Sequence, residues 1–369
     1  MKGKRLWPRC NYRAGNVVVG LLNKQRHESL RFRFLTIFHF LIVLLLSIEI
    51  KQITQNLKMK LHTILGANGT IATELIPVLK AHNESIRVIS RSAKALEGVE
   101  AVQADVFNYD QLEKAVAGSS VVYLLIGITY NAALWKKDWP VIMDHTIRAC
   151  KKAGAKLVFF DGVYMYGRVK GEMTEATPYQ PSSKKGMVRA EVARMLEREM
   201  ANGSIKATIA RAVDFYGPGV TEKSAAAILV FENMKKGKRA QWFINADVPR
   251  SYNYTPDAAQ ALYILATDDK ALGEIWHLPS VRPALTGREF VRLAAKYMHA
   301  SDKVTVLPKW MLKMIGWFNP FMKEVYEMNY QDEFAFRFNS SKFEDTFGFT
   351  PTPYEEAVKK TAEWFLKKP

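Results

Sequence analysis

The stretch Gly66-Ala67-Asn68-Gly69-Thr70-Ile71-Ala72 decides the fold. It follows Leu61–Leu65, a short apolar run with a β-branched centre, and opens Ile71–Ala81, whose spacing predicts a helix that Pro77 can kink. A glycine-rich turn between strand and helix gathers backbone amides at the positive end of a helix dipole, a natural cradle for phosphate. Gly66 permits the tight turn, Gly69 lets the backbone approach a pyrophosphate, and Ala72 is small enough for close helix–strand packing. Asn68, Thr70 and Ile71 complete the candidate cradle. An ordinary βα turn is the plain alternative; the strand before it and the helix after it argue for the phosphate site.

Outward from this turn, strand and helix signals alternate. Ile86–Ser90, Val121–Ile126, Lys156–Phe160 and Ile205–Arg211 read as strands, and Trp139–Lys152 (ending at Gly154) and Gly186–Ala201 as helices. Such alternation predicts an α/β fold, a Rossmann doubly wound parallel sheet covered on both faces. After Arg211 the alternation weakens, and Pro, Trp and Phe become frequent through 308–353. The expected organisation is a dinucleotide-binding domain over 59–215 and a smaller C-terminal α/β substrate domain over 216–369, with 250–265 returning to the first.

The chain has 369 residues, 48% of them hydrophobic, two cysteines and a formal charge of +17. This composition excludes disorder, a fibrous class, a disulfide scaffold and a thiolate metal cluster. More than half of the charge, +9, sits in residues 1–58, where eleven Lys and Arg face only Glu28 and Glu49. The +8 on the remaining 311 residues is a modest excess that needs no nucleic-acid partner. Residues 34–48 are apolar but fall short of the roughly twenty that span a bilayer. They leave a membrane anchor open if residues 1–58 belong to the native protein. The blander reading starts the chain at Met59, leaving a cytoplasmic protein.

The end of the second strand separates the nicotinamide cofactors. An acid there would take the ribose hydroxyls of NAD, whereas a cation suits the 2′-phosphate of NADP. The chain reads Ser90-Arg91-Ser92, so Arg91 and Ser92 favour NADP, with NAD still open.

From residue 60 onward the chain resembles the extended short-chain dehydrogenase/reductase superfamily, in its NAD(P)-dependent epimerase/dehydratase branch. Beyond the turn, Asp105-Val106 stands where that family places an Asp and an apolar residue beside the adenine, and Leu124–Gly127, with Leu125, matches the strand end that passes under the cofactor. Tyr166-Gly167 resembles its strand-end Tyr-Gly. Arg211 through Tyr216-Gly217-Pro218-Gly219 resembles the segment it uses beside the nicotinamide, and Tyr254 to Ala259 a later loop. The resemblance implies NAD(P) chemistry on a small carbonyl, hydroxyl or sugar-like substrate, with a homodimer open.

The catalytic set departs from the family. Its Tyr-x-x-x-Lys pair works because the cation lowers a phenol that otherwise titrates near pH 10. Aligning Glu191 with the family's helix Glu puts Ser183 at the Tyr position and Met187 at the Lys position, and Gly162 replaces the usual hydroxyl residue. Lys184 or Lys185 reaches the ribose only if the helix starts elsewhere. The literal match Tyr166-Gly167-Arg168-Val169-Lys170 follows a strand and holds glycines, so it lacks the helical geometry that spacing by four requires. Tyr166, Tyr164 and Asp161, all at a strand end, are the candidates for proton transfer. A non-catalytic NADPH-binding regulator or assembly factor is the alternative to an enzyme.

The remaining features read plainly. The histidines show no metal-ligand spacing, and Cys150 reads as a small buried residue. The aromatic group Trp310, Trp317, Phe318, Phe321, Tyr326 and Tyr330 is expected in the core of the second domain, with an apolar substrate wall as the alternative.

Overall fold

The computed structural model describes residues 60–92, 96–221 and 224–368. The basic segment 1–58, its apolar run 34–48 and the choice of start therefore lie outside the described residues. One seven-stranded parallel sheet organises the rest. Its strands are β1 (Leu61–Leu65), β2 (Ser85–Ser90), β3 (Glu100–Gln103), β4 (Val121–Leu124), β5 (Lys156–Asp161), β7 (Ala207–Arg211) and β11 (Ile275–His277), in the order β11-β7-β5-β4-β1-β2-β3. Six short strands pair two by two outside it: β6 (Glu172–Met173) with β13 (Arg337–Phe338), β8 (Phe215–Tyr216) with β10 (Asn253–Tyr254), and β9 (Ala240–Phe243) with β12 (Val304–Leu307).

Every residue of β4 and β7 is buried, which is why these segments read as unbroken apolar runs rather than alternating ones. One face of the sheet carries α1 (Thr70–Ala81) and, from much later in the chain, α6 (Thr255–Thr267), which pack through residues such as Leu75, Leu79, Leu262 and Leu265. The other carries α2 (Tyr109–Val116), α3 (Ala132–Ala153) and α4 (Lys184–Ala201), with Leu112, Ile142, Ile147, Val192 and Leu196 in one core. A third core gathers Phe231, Trp242, Phe290 and Phe365 from the C-terminal half. Its elements include α5 (Glu232–Lys235), α7 (Gly287–Met298) and α12 (Tyr354–Lys367). The remaining helices are α8 (Lys309–Phe318), α9 (Pro320–Glu327), α10 (Tyr330–Glu333) and α11 (Ser341–Phe347). No described helix is long and apolar enough to cross a membrane.

The fold is the expected doubly wound sheet, with local differences. The third helix starts at Ala132 rather than Trp139, because the Asn131 side chain caps it by accepting from the Leu134 amide at 3.0 Å. Pro140 sits inside the helix, not at its first turn. Strand β3 and helix α2 carry too few apolar residues to announce themselves. The aromatic cluster departs most: Trp317 is 72% and Phe318 87% exposed, and Trp310 and Phe321 are exposed as well. Only Tyr330 and its neighbour Met328 are buried. In the α8–α9 hairpin, α8 buries Leu312 and Gly316, whereas no residue of α9 is fully buried.

Candidate active site

Strand order reverses between β1 and β4: the chain builds β1-β2-β3 outward, then returns to place β4 on the other side of β1. Such a reversal opens a crevice at the carboxyl ends of the strands. Gly66 lies there. Its φ is +99°, and a Cβ on it would meet the Leu125 carbonyl and the Ile126 amide nitrogen at 2.9 Å. The loop leaving β4 therefore lies directly on the turn. Gly69 donates to the Gly66 carbonyl at 3.0 Å and caps α1 with no side-chain hydrogen bond to the first-turn amides. A helix start left open in this way suits an anion. Ala72 is fully buried under it, and Asn68 and Thr70 stay accessible at the mouth.

The other residues expected to contact a cofactor are spread over several elements. Arg91 and Ser92 are exposed beyond β2. Ser90 Oγ at the same strand end is buried with no hydrogen-bond partner among the described residues. Arg87, four residues earlier, is committed to Glu100 and to the carbonyls of Ala115 and Ala117, whereas Arg91 is exposed. Asp105 is fixed by accepting from the Phe107 amide at 3.0 Å, and the Val106 carbonyl accepts from His145 Nδ1 at 2.9 Å. Tyr216 is buried in the third core, in edge contact with Phe290 and Tyr252. Any part it takes in holding a ligand falls to its backbone, and Gly217 follows it against Thr255.

The three candidates for proton transfer separate sharply. Asp161 is buried, with Arg189 Nε at 2.7 Å and Arg211 Nε at 3.8 Å. Tyr166 is 1% exposed and accepts from Arg211 at 2.6 Å. Its own proton goes to His277 Nε2 at 2.8 Å, because His277 Nδ1 donates to the Asn339 carbonyl at 2.8 Å. Burial drives that imidazole down to about 3, so it is neutral and fits this tautomer. Both Asp161 and Tyr166 thus belong to a closed network joining β5, β7 and β11.

Tyr164 is different. It is partly exposed, stacks on Trp135 with ring centres 6.0 Å apart, and shares a hydrogen bond with the Tyr130 hydroxyl. Burial, followed by the nearby Asp214 carboxylate, pushes the Tyr164 phenol up to about 12, so it is protonated at neutral pH. Gly186 presses α4 against this turn; a Cβ there would meet the Tyr164 carbonyl at 2.5 Å.

Helix α4 begins at Lys184, two residues before the Gly186 expected from the sequence. Ser183 is its N-cap, its hydroxyl accepting from the Gly186 amide at 2.9 Å, and Met187 is 55% exposed. Lys185 does not turn toward a ribose. It is fully buried, with Glu324 and Glu327 of α9 each at 2.5 Å, and its ammonium lies 4.8 Å from the centre of the Tyr130 ring. Sequence reasoning missed Tyr130, Glu324, Glu327 and the Arg250–Asp332 pair. Only Tyr130 carried a local signal, as the aromatic just ahead of an Asn N-cap.

A glycine-rich turn at the switch point of a parallel sheet, with a buried hydroxyl that has no partner among the described residues and an exposed cation at the neighbouring strand end, defines a Rossmann-type dinucleotide-binding protein. Within that class the sequence matches the NAD dependent epimerase/dehydratase family over residues 62–278, and the chain belongs to that family. It is similar in fold to the UDP-glucose 4-epimerase of Thermotoga maritima, solved with UDP-glucose (TM-score 0.68, 18% identity, 83% of this chain and 99% of that one). It is similar also to the dTDP-glucose 4,6-dehydratase of Bacillus anthracis, solved in complex with NAD (TM-score 0.69, 14% identity, 84% and 97%). An uncharacterized protein of Sinorhizobium fredii is 26% identical over 221 residues, 58% of this chain and 61% of that relative's length.

Proposed function

We propose that the chain is an NADP-dependent oxidoreductase or epimerase/dehydratase acting on a small carbonyl or hydroxyl compound, with Tyr164 as its proton donor. A bound nicotinamide supplies the hydride chemistry, and the protein supplies orientation and a proton route. One observation carries the proposal: Tyr164 is the partly exposed hydroxyl among the three strand-end candidates, protonated and held by Tyr130. Arg91, with Ser90 and Ser92 beside it, supports the extra phosphate of NADP. Asp161 and Tyr166 serve as the framework that fixes the turn carrying Tyr164.

Two features favour a second reading, a cofactor-binding regulator: Met187 stands where the lysine would be, and Lys185 is locked by two carboxylates. Titrating the full chain with NADPH, then following absorbance over a panel of aldehydes and ketones, separates the two. Turnover lost in Tyr164→Phe with NADPH affinity kept supports the enzyme. Tight NADPH binding with no turnover across the panel supports the regulator.

A further inference from the structure

Two charge clusters beside the Tyr130–Tyr164 pair each hold more carboxylates than cations, whereas Asp161, in the strand-end framework, answers two guanidiniums, those of Arg189 and Arg211. On one side lies Lys185, buried, with the carboxylates of Glu324 and Glu327 both at 2.5 Å. On the other, shortly before β10, lies Arg250, buried, with Asp214 at 2.5 Å and Asp332 at 2.6 Å. Arg250 also donates to the Gln331 carbonyl at 2.9 Å, so its guanidinium is further occupied from within. Each buried cation thus answers two carboxylates, and each triad is left one negative charge in excess. Both triads act on the tyrosines: Asp214 raises the phenols of Tyr130 and Tyr164, and Glu327 that of Tyr130. The excess also shows at Asp332, which burial and the neighbouring Asp214 carboxylate raise to about 6 against the pull of Arg250.

We infer that the substrate is an uncharged carbonyl or alcohol compound, and that the crevice rejects nucleoside diphosphates. This inference rests on the proposed oxidoreductase reading and narrows its substrate. A diphosphate brings at least two negative charges beside Lys185 and Arg250, each already answered by two carboxylates. To bind there, it would have to displace a partly buried carboxylate or sit beside an uncompensated one. A neutral guest meets better terms here, because Tyr130, Trp135, Tyr164 and Phe321 form one aromatic cluster that carries two tyrosine hydroxyls.

The test is calorimetric titration of the full chain, with and without saturating NADPH, with UDP, UDP-glucose and dTDP-glucose up to millimolar concentration. No saturable heat from any of the three supports the inference. Saturable micromolar binding of UDP-glucose, with or without NADPH, overturns it. The double variant Glu327→Gln, Asp332→Asn leaves each cation with one carboxylate, and its affinity for UDP is expected to rise about tenfold or more over the native chain. A folded double variant, shown by unchanged NADPH affinity, that gains nothing for UDP also counts against it. NADPH binding is read separately, so failure of the cofactor reading is distinguishable from failure of the charge argument.

Discussion

The hydroxyl of Tyr166 donates to Nε2 of His277 across 2.8 Å, joining the turn after β5 to the edge strand β11 at the far side of β7. Arg211 completes the arrangement from β7, donating to the same hydroxyl at 2.6 Å. A strand-end tyrosine that resembles a catalytic element is here a tie between strands that are distant in sequence.

Different losses follow for the two neighbouring tyrosines. Tyr166→Phe leaves a buried guanidinium and imidazole each short of a partner, which costs about 1–3 kcal/mol of stability. Its turnover per folded molecule is expected to change little. Tyr164→Phe is expected to lower turnover about a hundred- to ten-thousandfold, the usual scale for general acid catalysis, with a small effect on stability. Urea midpoints and turnover measured on both variants check the contrast; equal turnover losses would refute it.

The phosphate turn makes a second prediction. Gly66→Ala forces a side chain into a left-handed conformation and places its Cβ at 2.9 Å from the Leu125 carbonyl. The backbone must shift where the dinucleotide would lie. The expected result is loss of NADPH binding by at least about tenfold, together with destabilisation of about 1–3 kcal/mol. Fluorescence titration and thermal unfolding read both. Ala67→Gly at the adjacent position serves as the control expected to retain binding.

What was legible in the sequence was local. The run from Gly66 to Ala72 carries its conformation, packing and helix start within seven residues, so it pointed to the sheet, the crevice and the family. Helix α4 carried the same kind of local signal, although it begins at Lys184, where Ser183 caps it, rather than at Gly186. What stayed hidden was long-range. Lys185 and Glu324 are 139 positions apart, and Tyr166 and His277 are 111 apart. No periodicity links such partners, and a buried lysine looks like any solvated one until its carboxylates are found. The α8–α9 aromatics misled for the opposite reason: apolar composition predicts burial only where a partner surface exists.

Acid stability follows from three buried groups. Burial lowers His62 to about 4 and His277 to about 3, so both remain neutral in the folded chain while the unfolded chain protonates them near 6.5. Below pH 6.5 the unfolded state therefore binds more protons, and these two histidines withdraw stability as pH falls toward 4. Asp332 acts in the other direction. Raised to about 6, it holds a proton in the folded state that the unfolded chain lacks down to about 3.9, so it adds stability as pH falls through 6. Asp332→Asn removes that compensation. Urea unfolding at a series of pH values should show the variant losing stability more steeply than the native chain between pH 6 and 4. The expected difference is about 1.4 kcal/mol per pH unit, the effect of one proton. Parallel slopes would show that Asp332 does not titrate in this window.

Arg91 is expected to decide between the two nicotinamide cofactors. It stands exposed at the end of β2, while Arg87 is tied to Glu100 and two carbonyls and cannot substitute for it. A guanidinium paired with the 2′-phosphate makes charge-assisted hydrogen bonds of about 1.5–3 kcal/mol. Arg91→Ala is therefore expected to weaken NADPH about ten- to a hundredfold and to leave NADH nearly unchanged. Raising the salt concentration should weaken NADPH binding in the native chain and have much less effect in the variant, because the lost contact is the screened one. Equal losses for NADPH and NADH would assign Arg91 to the turn's structure rather than to the phosphate.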